Sequence, residues 1–252
     1  MKSSELRSSG RALHIGILRT DSVLDEFQPA HGDYPGMFQR LLGEHGLVAE
    51  GPDALTLEFS TYDAQQGEFP PPRTCDAYLI TGSRHSVYDE LPWIAELVAF
   101  LREALVEGRK VIGICFGHQL IAHFFGGETR PADVGWCVGV HRAEVISEEP
   151  WMSPTRRSFG LLSSHRDQVV RLPAGARPFA RSGACPNAGF VLGDQILTFQ
   201  GHPEFTRDYA LDLLTMRQEL LGADVFEQGV ASLRDETDPQ LVARWILNFL
   251  MS

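Results

Sequence analysis

Apolar runs of strand length alternate with helical patterns through the first half of the chain, and this alternation constrains the fold more than any other feature. "ALHIGIL" (12–18) has the length and apolar density of a buried strand. After a polar loop bearing Pro and Gly, "MFQRLLGEHG" reads as a helix closed by Gly46. "LTLEFSTYD" alternates in strand fashion, and "CDAYLITGS" is a second buried strand ending in a Gly turn. "PWIAELVAFLREALVEG" carries apolar residues at helical spacing between Pro92 and Gly108. "KVIGI" is then a strand and "FGHQLIAHFFGG" a helix. The order predicts an α/β fold with an open, mostly parallel sheet flanked by helices on both faces.

From Trp136 the character changes. "VGVHRAEVIS", "FGLLSSHRDQVVRL", "PFARSG", "AGFVLGD" and "QILTFQGHPEF" read as short strands joined by turns, an antiparallel extension of the same sheet. "DYALDLLTMRQELLG" and "DPQLVARWILNFL" read as closing helices. The polar, Ser-rich start predicts a disordered tail over residues 1–10. No linker or repeat divides the remainder of the chain, so 11–252 is expected to form one domain. A chain of 252 residues, 43% hydrophobic, can bury a core of that size.

Composition narrows the function. No apolar run approaches the roughly 20 residues that span a bilayer, and no secretory h-region follows the first residues. Four cysteines make no disulfide framework and point to reduced thiols in a cytoplasmic setting. A net charge of −11 without a basic cluster argues against nucleic acid or an anionic membrane as partner. Neither Cys-x-x-Cys nor His-Glu-x-x-His occurs, and His118 and His123 stand five apart, which separates them on a helix. No metal is expected. Gly-Lys-Ser/Thr is also absent, "TGSRHS" is too weak to be a phosphate loop, and no cofactor is expected.

Chemistry concentrates at Cys115. Gly113-Ile114-Cys115-Phe116-Gly117 places small residues two positions either side of the thiol, as in the Gly-x-Ser-x-Gly frame that raises a nucleophile on a strand-to-helix elbow. At a helix N-terminus the dipole favours a thiolate, and the next backbone N–H, that of Phe116, can face a developing oxyanion. Gln119 lies one helical turn on, within reach of a substrate beside the thiol. The frame alone is equally compatible with a buried structural cysteine. A nucleophile also needs a base. In "ILTFQGHPEF", Pro203 holds its predecessor extended, and residues two apart on an extended segment share a face, so His202 and Glu204 stand side by side. That is the local arrangement of a Cys–His–carboxylate relay. The acid follows the histidine, unlike the order in α/β-hydrolases.

"GICFGHQ" together with "GHPE" resembles the class I glutamine amidotransferase domain, a flavodoxin-like α/β fold. The resemblance implies Cys115 as nucleophile, His202 as base and Glu204 as orienting acid. "LITGSRHSVYD" is similar to the family's Gly-rich oxyanion loop, with Gly82 as second donor beside Phe116, although Thr81 replaces the first glycine of the common pair. "SSHRDQV" is similar to the loop that holds the amino-acid end of glutamine; Ser164, His165 and Arg166, with Gln119, would then contact substrate. Arg166 stands where many members carry glycine. It could meet an extra carboxylate or merely cover the loop.

The implied reaction is cysteine-dependent hydrolysis of a γ-glutamyl amide bond through a thioester, on a small-molecule γ-glutamyl substrate. Similarity of the "TGS", "GICFGHQ" and "GHPE" segments to γ-glutamyl peptidases favours a stand-alone hydrolase. A glutaminase subunit feeding a separate synthetase, and a non-catalytic protein on the same scaffold, remain the alternatives.

Overall fold

Alternate residues of the central strands feed two different cores, which is why the sheet needs helices on both faces. A computed structural model describes residues 12–45 and 55–252; the predicted tail and Gly46 lie outside them. The strands are β1 (Ala12–Arg19), β2 (Thr56–Asp63), β3 (Ala77–Ile80), β4 (Lys110–Ile114), β5 (Glu128–Pro131), β6 (Cys137–Val145), β7 (Ser158–His165), β8 (Asp167–Arg171), β9 (Ala176–Arg181), β10 (Gly189–Leu192) and β11 (Ile196–Phe199). The helices are α1 (Gln28–His31), α2 (Tyr34–His45), α3 (Pro92–Val106), α4 (Phe116–Phe124), α5 (Arg207–Met216), α6 (Gln218–Leu221), α7 (Ala223–Ser232) and α8 (Pro239–Met251).

Nine strands form one sheet in the order β2-β1-β3-β4-β11-β10-β9-β6-β7. Neighbours from β2 through β11 run parallel, and those from β11 through β7 antiparallel. The mostly parallel sheet and its antiparallel extension are those expected from the sequence. In β3, Ala77 and Leu79 join the core beneath α2 and α8, whereas Tyr78 and Ile80 join the one beneath α3 and α4. In β4, Ile112 and Ile114 take the first side and Val111 the second. This is the two-residue period of a strand buried on both faces. Helices follow their own period: Leu97, Leu101 and Ala104 of α3 are buried, while Val106 is exposed.

Two local readings need correction, and two elements escape the sequence pattern. "FGLLSSHRDQVVRL" is not one strand. The chain turns at Arg166, whose carbonyl accepts the Ala132 N–H (2.8 Å), and β8 leaves the large sheet to pair with β5. β5 itself, "ETRP", is too short and polar to be read as a strand. "DYALDLLTMRQELLG" breaks into α5 and α6 at Arg217, where the helical hydrogen bonds shift to shorter partners. The helix α7, in which Gly229 is the buried residue, was not read from the sequence. No helix among the described residues is long and apolar enough to cross a membrane.

Trp245 anchors the core beneath α8. It is fully buried, packs edge-on against Phe159 (5.5 Å) and donates its indole N–H to the Pro154 carbonyl at 3.0 Å. Trp245→Ala is expected to cost about 3–5 kcal/mol, the range for deleting a large buried aromatic, read from the midpoint of guanidinium denaturation.

Candidate active site

β3, β4 and β11 are adjacent and parallel, so the loops leaving their carboxyl ends emerge side by side. Those loops carry Gly82, Cys115 and His202. Ligand sites of open α/β sheets form at such strand ends.

Cys115 stands between β4 and α4 with φ 50° and ψ −94°, the sole non-glycine residue at positive φ among those described. A conformation of this kind costs of order 1–3 kcal/mol and survives only where its surroundings enforce it. Here they do. A Cβ on Gly113 would lie 2.7 Å from the Gly117 carbonyl carbon, and one on Gly117 would lie 2.8 Å from the Ile80 Cβ. The elbow therefore closes only with glycine at both positions. The Cys115 N–H donates to the Phe199 carbonyl at 2.9 Å, tying the elbow to the strand that leads to His202. Phe116 is the first residue of α4, and its N–H is among the amides that a helix leaves without an intrahelical partner.

His202 is held on every side. Its N–H donates to the Leu162 carbonyl (2.8 Å), and its ring stacks on Phe205 at 3.8 Å between centroids. Nδ1–H donates to the Glu204 carboxylate at 2.7 Å, and His202 and Cys115 line the same cavity. Gly82 allows this approach, because a Cβ there would lie 2.8 Å from His202 Cε1. Burial by itself would lower the imidazole's proton affinity. The Glu204 carboxylate, with its charge and its hydrogen bond, and the neighbouring Cys115 oppose that and push the pKa up to about 10. The Glu204 side chain is fully buried, and its Oε2 has no hydrogen-bond partner among the described residues.

The oxyanion-loop candidate is braced from below. Thr20 donates its N–H to Thr81 Oγ1 (3.0 Å) and its hydroxyl to the Gly82 carbonyl (3.0 Å). Arg84 donates its N–H and Nε–H to Asp21 at 2.8 and 2.7 Å, pinning the loop after β3 to the one after β1.

The sequence profile "Glutamine amidotransferase class-I" matches residues 51–212. The chain belongs to this family. A glutamine amidotransferase-like protein of Schizosaccharomyces pombe is 30% identical over 252 residues, covering 94% of this chain and 98% of its own. Gamma-glutamyl peptidase 4 of Arabidopsis thaliana is 30% identical over 192 residues, 73% of this chain and 72% of its own. The crystal structure of a glutamine amidotransferase from Methylobacillus flagellatus superimposes with a TM-score of 0.68 at 26% identity, covering 96% of this chain and 94% of that one.

Not every residue expected at the site of this amidotransferase family member is equally free. Ser164 lines the cavities beside Cys115 and accepts a hydrogen bond from Arg217 Nη1 at 2.6 Å. Arg166 is exposed at the edge of the smaller cavity. His165 is buried, donates Nδ1–H to the Asp167 carbonyl (3.1 Å), and is held neutral, its pKa lowered to about 3 by burial and by the charges of His141 and His202. Both N–H donors of the Gln119 amide are engaged, by the Asp167 carbonyl (2.7 Å) and Gln200 Oε1 (3.2 Å), which leaves its carbonyl oxygen to meet a substrate. Gln200 in turn donates to Cys115 Sγ at 3.6 Å. Sequence reasoning missed Gln200, although its place two residues before His202 was a signal. Arg217 and Phe205 were also missed. No group of three or more His, Cys, Asp or Glu among the described residues could hold a metal.

Because its folded pKa lies above the ordinary value of 6.5, protonated His202 stabilises the fold fully below about pH 6.5, and this contribution is lost as pH rises towards 10. Nitrogen NMR of histidine-labelled protein should show His202 protonated at pH 8. Glu204→Gln should lower its titration midpoint by about one to three pH units. A wild-type midpoint near 6.5 would contradict this electrostatic assignment.

Proposed function

We propose that this chain is a γ-glutamyl hydrolase that cleaves γ-glutamyl amide bonds by way of a thioester on Cys115. The observation that carries the reading is a thiol on an enforced positive-φ elbow that shares a cavity with an imidazole held by a buried carboxylate. Family membership and the similarity to a γ-glutamyl peptidase support the bond type.

His202 holds its proton at neutral pH, and in the proposed mechanism the sulfur of Cys115 attacks in its thiolate form. The sulfur adds to the γ-carbonyl carbon, and the oxygen takes up the negative charge facing the Phe116 and Gly82 amides. Collapse of the adduct breaks the C–N bond while imidazolium Nε2–H gives its proton to the departing amine. Neutral His202 then takes a proton from water. The hydroxide carbon–oxygen bond forms, the C–S bond breaks, and glutamate leaves with the thiolate and imidazolium restored. Glu204 fixes the tautomer throughout and stabilises the charged ring. Gln119, Ser164, His165 and Arg166 are assigned to the wall that receives the glutamyl group.

A stand-alone hydrolase is favoured over an ammonia-supplying subunit by the similarity to γ-glutamyl peptidases. Glutamate release by the purified protein from glutamine, γ-glutamyl peptides and γ-glutamyl amides tests the reading. Cys115→Ser should lower the rate at least about a thousandfold with an unchanged circular dichroism spectrum, as should His202→Asn, while Glu204→Gln retains a residual rate. Turnover that survives Cys115→Ser would overturn the proposal. Release from glutamine alone, stimulated by an added synthetase, would instead favour the subunit role.

A further inference from the structure

Two cavities meet at Cys115, and their walls differ in kind. Resting on the hydrolase reading above, we propose that the larger one, beneath α5 and α6, is the subsite for the departing amine and selects amines that carry an apolar group.

The smaller cavity, about 230 Å³, is lined by Gln119, Arg166 and Asp167. Neither Arg166 nor Asp167 is in an ion pair among the described residues. A cation and an anion without protein counter-charges suit the α-carboxylate and α-ammonium of a γ-glutamyl group. That assigns the glutamyl half of the substrate to this side of the thiol, so the amine half must leave on the other.

On that other side, where Ser22, Ser83 and Arg217 also face the space, several polar groups are already engaged with one another. Asp21 is bound by Arg84, and the Tyr34 and Tyr209 hydroxyls are hydrogen-bonded together at 2.9 Å. The rest of the wall includes Leu24, Phe205, Leu213, Met216 and Leu220. A volume of about 380 Å³ is that of a ligand pocket, and such a wall offers a substituent more apolar contact surface than hydrogen-bonding groups. At the rim, Met216 is 43% and Leu220 64% exposed, so an apolar group seated here also removes their surface from water. Both come from the broken α5–α6 segment, and the break at Arg217 directs its guanidinium to Ser164 between the two cavities.

The test is a comparison of kcat/KM for glutamine, γ-glutamyl methylamide, γ-glutamyl isobutylamide and γ-glutamyl phenethylamide. The wild type should prefer the phenethylamide to the methylamide by about tenfold or more, the scale of discrimination that apolar pockets reach. Met216→Asp and Leu220→Asp, both at exposed positions and checked for an unchanged melting temperature, should each reduce that ratio several-fold. A wild-type ratio near one, or a ratio that neither substitution alters, would overturn the subsite while leaving the hydrolase reading intact. Failure of the wild type to cleave any of the four compounds would overturn the subsite, and failure on γ-glutamyl peptides as well would remove the hydrolase reading.

Discussion

Close packing around Cys115, possible only where three side chains are absent, is the constraint on which the site depends. Gly113 and Gly117 let β4 fold back on α4 against Ile80, and Gly82 lets the His202 ring settle over the loop after β3. A methyl group at any of the three would fall within 2.7–2.8 Å of a neighbouring atom. Interiors packed to crystal density have no slack for such an overlap. The strain at Cys115, of order 1–3 kcal/mol, is sustained by this packing and by the hydrogen bond to Phe199. What the packing achieves is proximity: it brings a thiol, an imidazole and a helix N-terminus together at the ends of three neighbouring strands.

Electrostatics then sets the protonation state. A fully buried imidazole would ordinarily lose its proton, since desolvation penalises the charged form. Glu204 reverses that outcome at 2.7 Å, at the cost of a carboxylate oxygen buried without a partner among the described residues. A pair of this kind is a poor means of stabilising a fold, because desolvation consumes much of the Coulomb gain. Its placement makes sense as a means of holding charge next to sulfur. The uncharged network behind it, from the Asp167 carbonyl through Gln119 and Gln200 to Cys115 Sγ, presents an N–H donor to the same atom.

Much of this was legible in the sequence where the signal is local. The strand period in "KVIGI" and "CDAYLITGS" and the Gly-x-Cys-x-Gly frame report neighbours within a few residues, and the structure places the corresponding elements as read. The proximity of His202 and Glu204 follows from the extended backbone around Pro203 in the same way. Other features depend on partners far along the chain. β8 departs from the line of β7 because β5, some forty residues earlier, offers an edge. The α5–α6 break places Arg217 next to Ser164, 53 residues away, and no local pattern announces it. Helical spacing gives the position of Gln119 but not the groups that engage its amide, Asp167 and Gln200.

The proposed chemistry requires a covalent intermediate at one sulfur. The most direct measurement is to mix the protein with a γ-glutamyl amide that it turns over, quench in acid within the steady state, digest, and locate any adduct by mass spectrometry. A γ-glutamyl group is predicted on the peptide containing Cys115 and none on Cys75, Cys137 or Cys185. An adduct on another cysteine, or sustained turnover with Cys115 unmodified at every quench time and dispensable on replacement by serine, would contradict the mechanism.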